Sequence, residues 1–246
     1  MAGAPGRADR VADQRTHPPY GRDMVVGGGA PVRIGATGTG DELLVLAWSA
    51  SGLAGEIAAG ARVFGRLGIT RGVRVSNALP GALATPGALL VGDVNEAIGA
   101  LDVPLGLIET EAAAEAAWAL MDRVEVGVLV LDPTRAQTLL AAVPAGARPW
   151  WQGIIWLRTP NTSRAPVPAS ALGGWQHHWL AVPEVSSFVA GTCRDGRQHP
   201  DEAVTVAVVD GELTIAARGA AAYATGMRVR SVDACSCGDG GAIELS

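Results

Sequence analysis

The residues best equipped for chemistry lie in the last quarter of the chain. All three cysteines, Cys193, Cys235 and Cys237, fall there, close in sequence to His199. They make a C-x5-H unit and a C-x-C unit followed by Gly238. Thiolate sulfur and imidazole nitrogen are the donors a tetrahedral Zn²⁺ prefers, and three cysteines with one histidine form a common closed, structural set. Three cysteines cannot pair completely within one chain, and no part of the sequence reads as secreted, so a disulfide framework is not expected. The set Cys193, His199, Cys235 and Cys237 is therefore either a structural zinc site or a group of inert buried thiols behaving as small hydrophobes. The polar, Gly-rich run around Cys235 and Cys237 fits a ligand knuckle better than a core strand.

Other residues offer weaker chemistry. Gly35-Ala36-Thr37-Gly38-Thr39-Gly40 has the glycines and hydroxyls of a loop that could cradle phosphate. It is not a Walker loop, since it lacks the lysine and no helix follows at once; a plain flexible turn is the simpler alternative. His177 and His178 sit between Trp175 and Trp179. One imidazole could serve as a base or a carboxylate anchor, or the segment is a helix end or loop with partly buried aromatics. Tryptophans at 150, 151, 156, 175 and 179 could line an aromatic pocket, although core or interface packing is the safer expectation.

Composition narrows the function classes. The net charge is −5 and no basic tract occurs, which argues against nucleic-acid binding. No apolar run approaches the length of a membrane span, and the amino terminus has no apolar signal region. A cytoplasmic protein with reduced cysteines is expected. All 19 basic residues are arginine. Without lysine, the chain can supply neither a Schiff base, nor a lysine general base, nor a lysine phosphate ligand.

These residues need elements to position them. Residues 1–30, rich in Gly, Pro, Arg and Asp, read as a disordered arm. From about residue 31 the chain alternates. Strands are expected at 43–48, 73–78, 105–108, 126–131 and 153–157. Helices are expected at 51–67, 85–100, 110–124 and 134–142, the second opened by Thr85-Pro86. That order implies a parallel α/β layer with right-handed crossovers. From residue 202 to 246 the texture becomes β-rich. Segments at 204–209, 212–217 and 227–232 are expected there, the first two joined through Asp210-Gly211. The fold class is thus α/β, a parallel βαβ layer followed by a small antiparallel segment stapled by zinc.

Five features in order resemble the amino-terminal domain of phenylacetate–CoA ligase-like enzymes in the adenylate-forming superfamily. They are the loop at 35–40, Glu184 in Ala181-Val182-Pro183-Glu184, the Cys193/His199 pair, Arg228-x-Arg230-x-x-Asp233, and Cys235-x-Cys237-Gly238. The resemblance covers roughly residues 32–246. It implies that Thr37, Gly38, Thr39 and Gly40 face a triphosphate and that Glu184 holds Mg²⁺ in the catalytic site; His178, the imidazole considered above on its own chemistry, is the other catalytic candidate. The resemblance also implies that Asp233, with Arg230 beside it, receives the ribose hydroxyls, and that the cysteines and His199 hold a structural zinc. ATP and Mg²⁺ are the further cofactors it implies.

Departures accompany the matches. Leu180, Ala181 and Pro183 stand where the family has an aromatic, a glycine and a threonine. The chain ends at Ser246, before the family's smaller carboxy-terminal domain with its lysine would begin. The expected protein is a shortened ligase-like chain that acts on or binds an aryl or acyl carboxylate or its activated form. It would act alone, as a homodimer, or with a partner ligase subunit, without nucleic acid or membrane. The alternative is a zinc-stabilised accessory protein without adenylation activity.

Overall fold

The structure is a computed structural model that describes residues 4–22, 25–81, 85–133, 136–144, 150–160, 173–217 and 220–245. A helix, α1 (Arg7–Thr16), is followed by three short strands, β1 (Val25–Val26), β2 (Arg33–Thr37) and β3 (Leu44–Trp48). These strands make a small sheet in the order β1-β3-β2, with β3 parallel to β1 and antiparallel to β2. The chain then alternates through α2 (Ala50–Arg66), β4 (Arg74–Asn77), α3 (Ala88–Ile98), β5 (Leu101–Pro104), α4 (Glu111–Arg123), β6 (Val128–Leu131), α5 (Ala136–Ala141) and β7 (Gly153–Arg158). Seven further strands complete it: β8 (Trp175–Val182), β9 (Ser186–Thr192), β10 (Gln198–Pro200), β11 (Val204–Val209), β12 (Glu212–Ala217), β13 (Tyr223–Val232) and β14 (Ala242–Leu245).

Local chemistry explains most boundaries. Ser49 caps α2 by accepting from the Gly52 N–H at 3.1 Å, and Thr110 caps α4 through Ala113 at 3.2 Å. Gly99 ends α3 in the left-handed region, at φ +80°. Asp210 and Gly211 both take positive φ, which matches the twist of the β11–β12 hairpin.

The second sheet joins eleven strands in the order β11-β12-β13-β14-β10-β9-β8-β7-β6-β4-β5. From β5 to β8 neighbouring strands run parallel, and from β8 to β11 they run antiparallel. The parallel layer and the antiparallel segment expected from sequence are therefore one continuous sheet. In β6, Val128 and Val130 enter an apolar cluster with α2 and α3, while Leu129 and Leu131 enter a cluster with α4 and α5 on the other face. Strands buried on both faces need helices on both sides, and the βαβ crossovers deliver them. A third cluster, containing Leu180, Val182, Leu213 and Ile215, lies under the antiparallel half.

Three expectations need correction. Residues 7–16 are not a disordered arm but helix α1, docked by Val11 against Leu44, Leu46 and Trp48. Its mostly polar sequence hides this, because a single buried valine leaves no apolar stripe. The strand expected at 105–108 lies at Leu101–Pro104, since the chain leaves Gly99 straight into parallel register with β4, Arg74 opposite Leu101. The segment around His177 and His178 is neither helix end nor loop but the central strand β8.

Candidate functional site

Two sites emerge, at opposite ends of the antiparallel half. At the first, the main chain makes two matching knuckles. Cys193 follows β9 and its carbonyl accepts from the Gly196 N–H at 2.9 Å; Cys235 follows β13 and its carbonyl accepts from Gly238 at 3.1 Å. Gly196 and Gly238 both take left-handed φ, +74° and +90°, which a side chain would disfavour. His199 enters from β10, which pairs with both β9 and β14. The two halves separated in sequence thus meet, and the four ligand atoms lie within 4.8 Å of one another.

The spacing suits a metal. Cys193 Sγ and Cys235 Sγ are 3.6 Å apart, and Cys237 Sγ is 3.3 Å from His199 Nε2. A tetrahedron with Zn–S bonds of about 2.3 Å has S···S edges of about 3.8 Å, whereas a disulfide needs about 2.05 Å. All three cysteines are free thiols. Burial lowers His199, which keeps its ring in the neutral form that ligates. Burial and the neighbouring thiols push Cys237 up to about 11. Around the four, Asp195 accepts from the Ser236 hydroxyl at 2.5 Å, and Arg66 donates to the His199 carbonyl at 3.0 Å. Such outer contacts hold ligands in place.

The second site is a cleft of about 110 Å³ lined by Thr37, Thr85, Thr159, Glu184, Tyr223 and Thr225, with Arg7 and three prolines. Glu184 stands in the β8–β9 turn, which the Val185 N–H closes onto the Val182 carbonyl at 2.8 Å. Its side chain is only 5% exposed and pairs with Arg7 of α1. Tyr223 opens β13 beside it. Burial, reinforced by the Glu184 charge, raises the Tyr223 hydroxyl, so that it stays a protonated donor.

A buried carboxyl supports this cleft from below. Glu56 of α2 accepts from the Ser187 N–H at 2.8 Å, and the Ser187 hydroxyl meets that of Thr85 at 3.2 Å. Burial raises the Glu56 carboxyl. The Glu56–Ser187–Thr85 chain ties α2, the start of β9 and the cleft wall together.

The sequence candidates divide between these places. Cys193, His199, Cys235 and Cys237 converge. Thr37 and Glu184 share the cleft, with Gly38 in contact range of Arg7; Thr39 and Gly40 are exposed and do not line it. Arg230 and Asp233 do not join them. Arg230 lies toward the end of β13 remote from Tyr223, and Asp233 just beyond that end. There Arg230 pairs with Glu244 of β14, and Asp233 is exposed two residues before Cys235.

His178 is also separate from the cleft. It lies within β8, and its backbone N–H donates to Thr192 Oγ1 at 2.7 Å. Burial and the nearby Arg158 push it down to about 4. Most of the tryptophans pack into the molecule, Trp179 stacking on Phe188 and Trp118 meeting Trp151 edge to face, whereas Trp150 is 53% exposed. Arg7, Glu56, Tyr223 and Thr225 escaped the sequence reading, because only the fold brings them to the cleft.

No protein-family model and no curated protein sequence match this chain. Solved structures do. 2-Hydroxyisobutyryl-CoA ligase, in an open conformation with 2-HIB-AMP and CoA, gives a TM-score of 0.83 at 15% identity, over 99% of this chain and 62% of that one. The N-terminal domain of FACL13 from Mycobacterium tuberculosis gives 0.65 at 14% identity, over 89% and 61%. O-Succinylbenzoate CoA synthetase from Bacillus subtilis, bound with its product analogue OSB-NCoA, gives 0.63 at 15% identity, over 90% and 50%. The chain spans less than two thirds of each. Its fold is that of the amino-terminal part of adenylate-forming acyl-CoA ligases.

Proposed function

We propose that the Thr37–Glu184 cleft binds a nucleotide or acyl-adenylate, and that the protein acts on or binds an aryl or acyl carboxylate in that activated form. One observation carries this reading. Glu184, a buried acid in the turn after β8, lines the same cleft as Thr37, the residue that opens the Gly-rich loop. Its carboxylate and the Thr37 and Glu42 carbonyls converge there, and hard oxygen donors of this kind suit Mg²⁺. A bound Mg²⁺ would neutralise phosphate charge. Threonine hydroxyls and the Tyr223 hydroxyl would then orient the rest of the ligand. The 2-hydroxyisobutyryl-CoA ligase structure, solved with an acyl-AMP, supports the ligand class.

The cysteine cluster is assigned a structural zinc, because four donors leave no open position for substrate. ATP–pyrophosphate exchange with a panel of aryl and acyl acids tests catalysis, and calorimetry with ATP and Mg²⁺ tests binding. Glu184→Gln should abolish either signal; absence of both from the wild-type chain overturns the reading.

A second reading is favoured by two specific features. The sequence has no lysine, and Arg7 already pairs with Glu184. An accessory protein would bind the acyl-adenylate or its parent acid without making it. Ligand binding without pyrophosphate exchange would select this reading.

A further inference from the structure

Arg7 occupies the place that the proposed nucleotide cleft would give to a cation. One of its terminal nitrogens pairs with Glu184 Oε1; the other donates to the Thr37 and Glu42 carbonyls, each at 2.7 Å. One carboxylate and two carbonyls form a cradle of hard oxygens. Glu184 is buried to 95% of its side chain, and an unpaired carboxylate there would be costly. The guanidinium removes that cost without a metal.

The helix that delivers Arg7 is docked at several points. The Pro5 carbonyl accepts from Ala224 of β13 at 3.1 Å. Gln14 pairs through both ends of its amide with the Val45 backbone, at 2.5 and 2.9 Å. Arg10 sits 5.8 Å from the centre of the Tyr223 ring. Gly38 makes room, since a Cβ there would collide with the guanidinium. The pair is not closed on itself: among the described residues Arg7 Nε and Glu184 Oε2 are buried without a direct partner of their own, and the neighbouring Tyr223 hydroxyl also interacts with the Glu184 carboxyl.

We propose that α1 is a tethered cation. In the resting state Arg7 neutralises Glu184; a divalent cation arriving with an anionic ligand displaces it, and α1 releases from the cleft. This deepens the reading of the cleft as a nucleotide site and rests on it. Because the competitor is tethered, its effective concentration is set by the chain, on the order of millimolar or higher. Divalent ions should therefore bind weakly until the arginine is removed.

The test is Mn²⁺ binding to the full zinc-saturated chain, followed by electron paramagnetic resonance. Arg7→Gln should bind Mn²⁺ at least tenfold tighter than wild type, and Arg7→Gln combined with Glu184→Gln should lose that gain. Equal or weaker Mn²⁺ binding by Arg7→Gln overturns the proposal. If Arg7→Gln does not fold, Gln14→Ala loosens the same helix while keeping the arginine. It should raise Mn²⁺ affinity in the same direction, and trypsin cleavage at Arg10 and Arg15 of wild type should accelerate as Mn²⁺ is added. No change in either measurement overturns it equally. Calorimetry with ATP separates the two ideas. An Mn²⁺ gain without ATP binding in any variant keeps the tethered cation and removes the nucleotide reading. ATP–Mn²⁺ binding that is equal in wild type and Arg7→Gln keeps the nucleotide reading and removes the tethered cation.

Discussion

At the residue scale, burial decides which polar groups can change charge. His178 is held down to about 4, against about 6.5 in an unfolded chain, first by burial and then by Arg158. Between those values the unfolded chain binds the proton and the folded protein does not. The contribution to stability is therefore full above pH 6.5 and is lost as pH falls toward 4. At about 1.4 kcal/mol per pH unit, the loss approaches about 3.5 kcal/mol at most. Urea unfolding at pH 7 and pH 5 should show a steeper fall for wild type than for His178→Gln; parallel behaviour would remove His178 as the cause. This histidine also marks what sequence alone could see. Its type and its place between two tryptophans announced a buried or functional imidazole. Its distance from the cleft depended on β8 being a strand, which the short Trp-His-His-Trp run does not reveal. The cysteines were legible for the opposite reason: residues able to ligate a metal carry that chemistry in their type, and the two knuckles bring their donor atoms within 4.8 Å of one another.

At the element scale, the legible parts were those whose burial pattern is complete within one segment. β3, α2, β6 and β7 carry their apolar faces in their own sequences, and Ser49 and Thr110 announce their helices. α1 was illegible, since it docks through Arg7, Gln14 and one valine rather than through an apolar stripe. The β8–β9 pair was obscured by the polar residues at its ends. Glu56 shows how such an element is held. Its carboxyl reaches from α2 to the Ser187 N–H, and burial raises it above the ordinary value of 4.5. A raised carboxyl supports stability below its unfolded pKa, and that support fades as pH rises through the folded value. Glu56→Gln keeps the acceptor without the charge and should match or exceed wild type, with a melting-temperature advantage that grows as pH rises above the ordinary value of 4.5. Glu56→Ala leaves the Ser187 N–H buried without its acceptor and should cost about 1–3 kcal/mol. A glutamine variant less stable than alanine would contradict this account of the contact.

At the scale of the whole molecule, the continuous sheet determines how far a local loss travels. The Cys193/His199/Cys235/Cys237 cluster lies between β9, β10, β13 and β14, and β9 pairs directly with β8 of the parallel half. Across this boundary Arg62 of α2 holds Asp201 through two hydrogen bonds of 2.7 and 2.8 Å, and Leu67 and Val63 pack close to Gly191. Few places exist where the antiparallel half could open while the parallel half stays intact. If the cluster holds zinc, metal binding is part of the folding free energy of the whole sheet. Metal analysis should then give about one zinc per chain. Chelation or Cys235→Ser should lower the melting temperature of a single transition. Far-ultraviolet circular dichroism should report that transition together with Trp179 and Trp156 fluorescence, since both tryptophans are buried toward the parallel half. Two separated transitions would mean that the stapled segment is an independent unit despite its shared strands. An unchanged melting temperature in a metal-free protein would return Cys193, Cys235 and Cys237 to the role of buried thiols.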